Sequence, residues 1–382
     1  MKVLFDYQVF KQNIGGVSRV TAEILRHFPC CVDYNIALRV CDNVYVKEYG
    51  IIPNVQPIPV SRDNLLTQKI YPFKIRLYNF LSSHFSSLPT FEHINKVFAV
   101  KLLKDGFFDI FHYPLTEGDD YFLKYLEGKK LVITVHDMIS EKENPKGAQA
   151  LLKKKLVNRA DHIIAISEET KKDLIKYLDV NEERITVVYH GSPDPIKTNL
   201  VVEPSPYFLY VGRRSGYKNF KQSLIDFASF SKRHPDVKLI CTGNPFTRTE
   251  QILINKLGIA GKCSTIWATE EELAALYKHA IAFIYPSLYE GFGLPILEAF
   301  VYNCIVLCND QSCLPEVAGD AAIYFHSKDG ESNLQEKLDF VFSLKENEKN
   351  QLIQKGNNRA KLFSWDKSAE LISEVYEKVL NS

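Results

Sequence analysis

The densest run of residues able to do chemistry is Tyr285-Pro-Ser-Leu-Tyr-Glu-Gly-Phe-Gly-Leu-Pro-Ile-Leu-Glu-Ala299. It follows an apolar run that reads as a strand and opens a segment that reads as a helix. Gly291 and Gly293 let a ligand approach the backbone, and Pro295 suits the first turn of a helix. Proline has no N–H, so the free donors are those of Gly293, Leu294 and their neighbours, a helix start suited to phosphate. Glu290 stands in the loop, and Glu298 one turn into the helix. Two carboxylates beside a phosphate site are awkward for binding an anion alone. They make sense if each accepts hydrogen bonds from hydroxyl groups, one set on either side. A glycine-rich turn with incidental surface glutamates is the competing interpretation, and it leaves the agreement of loop, helix start and spacing unexplained.

A second cluster, Tyr210-Val-Gly-Arg-Arg-Ser-Gly-Tyr-Lys-Asn219, lies at another strand end. Fixed cations there can stabilise negative charge gathering on a departing group without a metal. A solvated basic loop is the alternative, and the flanking Gly212 and Gly216 argue against it. A third candidate is Ile14-Gly-Gly-Val-Ser-Arg19, with Gly15 and Gly16 between the first strand and first helix, where a ligand cleft is expected. It is not a dinucleotide fingerprint, because G-x-G-x-x-G is absent; nor is Gly258-Ile-Ala-Gly-Lys-Cys-Ser264 a Walker loop. Fourth, Thr134-Val-His-Asp137 ends an apolar strand, and an isolated His136 there is as readily a satisfied core residue as a functional one. Ser167 reads as a helix N-cap.

The Tyr285–Ala299 segment resembles the signature of the retaining GT-B glycosyltransferases, the nucleotide-sugar-dependent family 4 (glycosyl transferases group 1). The resemblance extends through Glu272-Leu-Ala-Ala-Leu-Tyr277 and Leu314-Pro-Glu-Val-Ala-Gly-Asp320; it is specific over residues 207–325 and looser in the N-terminal half. It implies two Rossmann-like, doubly wound α/β domains facing a central cleft. It also implies that Arg213 and Lys218 hold the donor diphosphate, with Arg214 a neighbour of lower rank. Glu290 and His136 would hold the sugar, Asp137 orienting the imidazole, and Glu298 the ribose. Gly15 and Gly16 would approach the donor phosphate, as would the backbone of Gly291, Phe292, Gly293 and Leu294. The base would lie along the backbone of Trp267, Ala268 and Thr269.

The activity so implied is metal-independent, retaining transfer of a hexose from a nucleotide diphosphate sugar. The acceptor would be a glycan or lipid-linked glycan, in bacterial surface polysaccharide synthesis and with a mannose-type donor. No cofactor is implied beyond that co-substrate, and the absence of any D-x-D motif counts against a metal-dependent GT-A enzyme. The rivals are a nucleotide-sugar epimerase of the same fold and a catalytically silent nucleotide-sugar-binding protein. Two departures from the family pattern stand out. Phe300-Val-Tyr-Asn-Cys-Ile305 replaces a Gly- and Pro-containing turn, with Asn303 expected to take the left-handed conformation. Tyr217 stands where a second basic residue is frequent.

The elements that must position these residues follow from the pattern of the whole chain. It has 382 residues with 47 Lys+Arg against 46 Asp+Glu, a formal charge of +1, which excludes the global basic field of a nucleic-acid coat. Charged residues at 24% and hydrophobic ones at 46% exclude wholesale disorder. The eight cysteines are spread without a C-x-x-C, consistent with reduced thiols in a cytoplasmic protein, peripheral at most on the inner face of the membrane. Continuous apolar strands alternating with amphipathic helices predict two parallel sheets. The expected domains are an acceptor-side one over 1–196 and a nucleotide-sugar-binding one over 204–362, with a last helix at 365–382 packing back on the first. Thr269-Glu-Glu-Glu272 reads as a capping box. Residues 64–104, aromatic and basic, read either as a helical excursion on the first domain or as a membrane-surface or acceptor-binding segment.

Overall fold

The computed structural model describes residues 1–51, 90–115 and 118–382. Residues 64–89 of the aromatic, basic stretch lie outside the described residues; 91–104 fall within a helix. The chain divides into two compact units. One comprises Met1–Ile166, Thr170–Val188 and Trp365–Ser382; the other comprises Ser167–Glu169 and Tyr189–Ser364.

In the first unit the strands are β1 (Lys2–Phe5), β2 (Asp33–Ile36), β3 (Ile110–Pro114), β4 (Lys130–Val135), β5 (His162–Ala165) and β6 (Ile185–Val187). They form one parallel sheet in the order β2-β1-β3-β4-β5-β6. β3 and β5 are buried throughout their length, and β1 and β4 at all but their first residue, which is why they read as apolar runs without alternation. The helices are α1 (Gly16–His27), α2 (Val44–Glu48), α3 (Phe91–Asp105), α4 (Ile139–Glu143), α5 (Ala148–Arg159) and, from Thr170 on, α6 (Glu168–Leu178). Thr90 caps the start of α3 through the His93 amide, and Gly106, left-handed at φ 67°, ends it.

The second unit repeats the plan with β7 (Tyr207–Tyr210), β8 (Lys238–Thr242), β9 (Cys263–Ile266), β10 (Ala282–Tyr285), β11 (Val306–Asn309) and β12 (Ile323–Phe325). These are parallel in the order β12-β11-β10-β7-β8-β9, and β13 (Ser327–Lys328) and β14 (Glu331–Ser332) add a small hairpin. Its helices are α7 (Phe220–Ser231), α8 (Arg248–Lys256), α9 (Glu270–His279), α10 (Leu294–Val301), α11 (Leu314–Ala318), α12 (Leu334–Ser343) and α13 (Glu346–Ala360). Phe227, Leu239, Ile284 and Leu307 are central to a core filled from both sheet and helices. The capping box expected at Thr269 is present: its hydroxyl accepts from the Glu272 amide, and Glu272 accepts from the Thr269 amide. Asn303 takes the left-handed conformation expected of it, at φ 59°.

The last helix, α14 (Trp365–Leu380), packs against α1 in the first unit. Its anchor is polar. Tyr376 Oη and His112 Nδ1 share a hydrogen bond of 2.5 Å, and His112 Nε2 shares one of 2.8 Å with Thr134 Oγ1, all three side chains being buried. Burial holds the His112 pKa down at about 3, so the ring stays neutral and needs both partners. Tyr376→Phe is expected to leave the His112 nitrogen unsatisfied and cost about 1–3 kcal/mol of stability, read as a lower urea midpoint at unchanged m-value. Among the described residues, no helix is long and apolar enough to cross a membrane.

Candidate functional site

Both sheets reverse their strand order once. In the second unit the chain starts at β7, winds out through β8 and β9, then returns to the other side with β10, β11 and β12. The crossing point therefore lies between β7 and β10, and a parallel sheet offers its ligand crevice just beyond the carboxyl ends of such strands. Both clusters singled out in the sequence follow these two strands.

The loop after β7 makes a helical turn at Gly216–Lys218, then Asn219, left-handed at φ 53°, starts α7. The loop after β10 comes alongside: the Leu288 amide donates to the Tyr217 carbonyl at 2.8 Å. This stitch brings Lys218 Nζ to 2.5 Å from Glu290 Oε1. Lys218 and Glu290 belong to clusters 72 residues apart in the sequence, and the structure has them in contact. The physical reason is that both side chains are largely shielded, 16% and 12% exposed, and a shielded ammonium is costly unless neutralised. The Glu290 backbone is clamped from behind. Ser312 Oγ donates to its carbonyl at 2.8 Å and accepts from its amide at 3.3 Å, while Cys313 Sγ donates to the Glu290 and Phe292 carbonyls.

Gly293 is the N-cap of α10 with φ 102°, a conformation that side-chain-bearing residues rarely adopt. A Cβ there would also lie 3.2 Å from Leu314 and 3.4 Å from Tyr285. The turn thus has no room for a side chain, directly before the helix start whose amides can meet an anion. Within α10, Glu298 is 9% exposed and accepts a hydrogen bond from the buried Tyr277 phenol at 3.2 Å. Burial, and then Glu290, push the Tyr285 phenol well above its ordinary pKa, so it remains a neutral donor beside that carboxylate.

The three basic residues of the β7 loop divide their labour. Arg214 is committed to structure: it donates to Glu250 at 2.9 Å and to the carbonyls of Asn244 and Pro245, and it lies over the Phe246 ring. Arg213 is exposed, and among the described residues its guanidinium makes no ion pair or hydrogen bond, while its carbonyl accepts from Tyr210 Oη. Lys218 is the cation facing Glu290. Trp267, Ala268 and Thr269 leave the end of β9, with the indole 72% exposed and Thr269 turned into the α9 cap.

In the first unit, Gly15 is the N-cap of α1, its carbonyl accepting from Ser18 Oγ at 2.9 Å. A Cβ at Gly16 would meet nothing, whereas one at Gly15 would lie 2.9 Å from the Gln12 side-chain oxygen. His136 follows β4, and burial of the ring lowers its pKa to about 4, a shift that neighbouring Asp137 opposes and Lys153 reinforces. Asp137 accepts from the Ile139 amide at 3.1 Å and so helps to start α4. Ser312, Cys313 and Tyr277 were not given roles from the sequence. Nothing in the linear spacing of Glu272-Leu-Ala-Ala-Leu-Tyr277 aims the tyrosine hydroxyl at Glu298.

Comparison with known proteins agrees with this architecture. The model of the glycosyltransferase family 4 matches residues 43–193, and that of the glycosyl transferases group 1 matches residues 194–359. Glycosyltransferase of Rickettsia africae ESF-5 superposes with a TM-score of 0.65 at 18% identity, covering 99% of this chain and 98% of that one. Anabaena Alr3699/HepE, solved in complex with UDP and glucose, gives a TM-score of 0.67 at 16% identity, covering 99% of this chain and all of that one. The fold is therefore GT-B. The chain belongs to the glycosyl transferases group 1, and it is a glycosyltransferase. Among curated relatives, O-antigen chain mannosyltransferase RfbU of Salmonella typhimurium is 29% identical over 47% of this chain, a match spanning 51% of that protein. O-antigen chain mannosyltransferase B of Escherichia coli is 23% identical over 99% of this chain and 100% of its own length.

Proposed function

We propose that the protein transfers a hexose, of mannose type, from a nucleoside diphosphate sugar to a glycan or lipid-linked glycan in bacterial surface polysaccharide synthesis. Transfer is with retention and without a metal. The names of the O-antigen mannosyltransferase relatives support the substrate class. The observation that carries the mechanism is the contact of Lys218 with Glu290 at the β7–β10 crossing point, beside the Gly293 helix start.

The Lys218–Glu290 pair is charge-balanced. When a diphosphate enters, Lys218 turns to it and the released Glu290 carboxylate accepts hydrogen bonds from the sugar, so each group exchanges one partner for another. Arg213 adds a second cation, and the amides of Gly291, Phe292, Gly293 and Leu294 add fixed donors. Glu298 accepts from the ribose, and the backbone of Trp267–Thr269 meets the base. In the first unit, Gly15 and Gly16 approach the donor phosphate. His136, neutral at physiological pH, gives the sugar a hydrogen bond without bringing a charge.

As the bond from the sugar's anomeric carbon to the phosphate oxygen breaks, its electron pair goes to that oxygen. The acceptor oxygen bonds to the same carbon from the same face and passes its proton to the departing phosphate. The protein's task is to stabilise the diphosphate and hold the faces apart from water. The proposed place of action is the cytoplasm, with peripheral membrane contact through residues 64–104.

A panel of mannose- and glucose-type nucleotide sugars, scored by thermal shift and by slow donor hydrolysis, tests the assignment. Stabilisation by one of them with release of the nucleotide is the expected result. No stabilisation by any, or conversion of the donor to its epimer, overturns it. In the same assay Glu298→Ala is expected to weaken donor binding by about 10- to 100-fold, the loss of hydrogen bonds to a charged acceptor.

A further inference from the structure

We infer that Tyr277 is a positioning residue for donor binding, its buried phenol setting the plane of the Glu298 carboxylate. The inference rests on the reading of Glu298 as the ribose acceptor. α9 exposes its acidic first turn and buries Ala274, Ala275, Leu276 and Tyr277. Tyr277 has no accessible surface, and its hydroxyl donates to Glu298 Oε2 at 3.2 Å.

Packing alone explains an aromatic ring at this position but not its hydroxyl. A polar atom in a fully buried site is retained at a cost unless it is bonded, and here the bond it makes is to the carboxylate on α10. The ring cannot swing away. Phe283 meets it edge-on at 5.4 Å, and Tyr302 stacks on it at 6.0 Å with 15° between planes. Tyr302 is itself tied at its far end, its hydroxyl accepting from the Ile196 amide at 3.2 Å. A chain of contacts therefore runs from residue 196 through two stacked tyrosines to the Glu298 carboxylate.

Two neighbouring hydroxyls of a ribose are accepted together only by a carboxylate held in one plane. A bond that fixes Oε2 supplies that constraint before the ligand arrives, which lowers the ordering cost of binding. Glu272-Leu-Ala-Ala-Leu-Tyr277 thereby gains a functional end: its glutamate caps the helix and its tyrosine orients the donor site.

The test uses the full-length protein and Tyr277→Phe, which keeps the ring. The probes are UDP, GDP and ADP, each beside its dideoxy counterpart lacking the ribose hydroxyls, with binding measured by calorimetry. For whichever nucleotide the wild type binds, Tyr277→Phe is expected to lose affinity by roughly tenfold. It should leave affinity for the dideoxy form unchanged. With the stabilising nucleotide sugar, KM rises by a similar factor while kcat stays within about twofold. In a Glu298→Ala background the substitution should cost nothing further. Tyr302→Leu, which removes the stacked ring, gives a second variant with the same ribose-selective loss should Tyr277→Phe fold poorly. Equal losses on the ribose and dideoxy forms, or a full additional loss in the Glu298→Ala background, reduce Tyr277 to packing and overturn the inference. If Glu298→Ala itself leaves nucleotide affinity intact, the ribose reading of Glu298 has failed instead.

Discussion

Lys218→Ala is expected to lower turnover by about 10²–10³-fold, the loss associated with removing one fixed donor aimed at developing charge, about 2.7–4 kcal/mol. The magnitude follows from where the ammonium sits. Lys218 ends the helical turn after β7 and is 16% exposed, so its field is not diluted by bulk water as that of a surface lysine would be. Its side chain passes near the rings of Tyr217 and Tyr285, which limit where the ammonium can go. The diphosphate, already anionic in the donor, gains further negative charge as the sugar bond breaks, so the cation acts on kcat more than on donor KM. The ligand-free protein should also lose some stability, because the Glu290 side chain, 12% exposed, is left without its cation. Steady-state kinetics on the preferred nucleotide sugar, beside a thermal melt, separate the two effects. Undiminished turnover in the alanine variant would remove Lys218 from the diphosphate site.

The same ion pair shows what linear sequence conveys and what it does not. The apolar runs at β1, β3, β4, β5, β7 and β10 were legible because strands buried on both faces have no alternation to confuse the reading. The start of α10 was legible because glycine and proline each have one strong backbone reason to stand there. The left-handed turn at Asn303 followed from the glycine that the family pattern places in this turn, for which asparagine can substitute.

Pairings across elements are another matter. Lys218 and Glu290 are 72 residues apart, and their contact depends on β7 and β10 being neighbours and on the Leu288–Tyr217 backbone stitch. Tyr277 reaches Glu298 because α9 and α10 lie side by side. Arg213 and Arg214 are adjacent in sequence, yet one is exposed and the other locked onto Glu250, a distinction fixed by the path of the loop rather than by residue type. Short elements such as α2, α4 and α11 leave no such signal, since five residues carry too little periodicity to register.

Lys153→Met is expected to destabilise the first unit by about 3–5 kcal/mol, the cost of stripping one partner from a buried ion pair. Lys153 comes from α5 and Glu141 from α4; Nζ and Oε2 are 2.7 Å apart, with the side chains 6% and 3% exposed. The same ammonium donates to the Asp137 carbonyl at 2.8 Å. It therefore bolts the segment that follows β4, and with it His136, to the helix beneath. Removing the cation alone leaves the Glu141 carboxylate buried without its counter-ion. Removing both charges, as in Lys153→Met with Glu141→Leu, should recover most of the loss, because apolar residues of similar volume need no compensating partner. Urea denaturation of the single and double variants measures the difference. A second readout separates stability from electrostatics. Lys153 helps to hold the His136 pKa down, so in the folded variants the imidazole should titrate above its native value of about 4 while burial keeps it below that of a free histidine. An NMR titration of His136 that shows no upward movement would mean that burial alone sets its charge state, and that Lys153 serves only to fasten the loop.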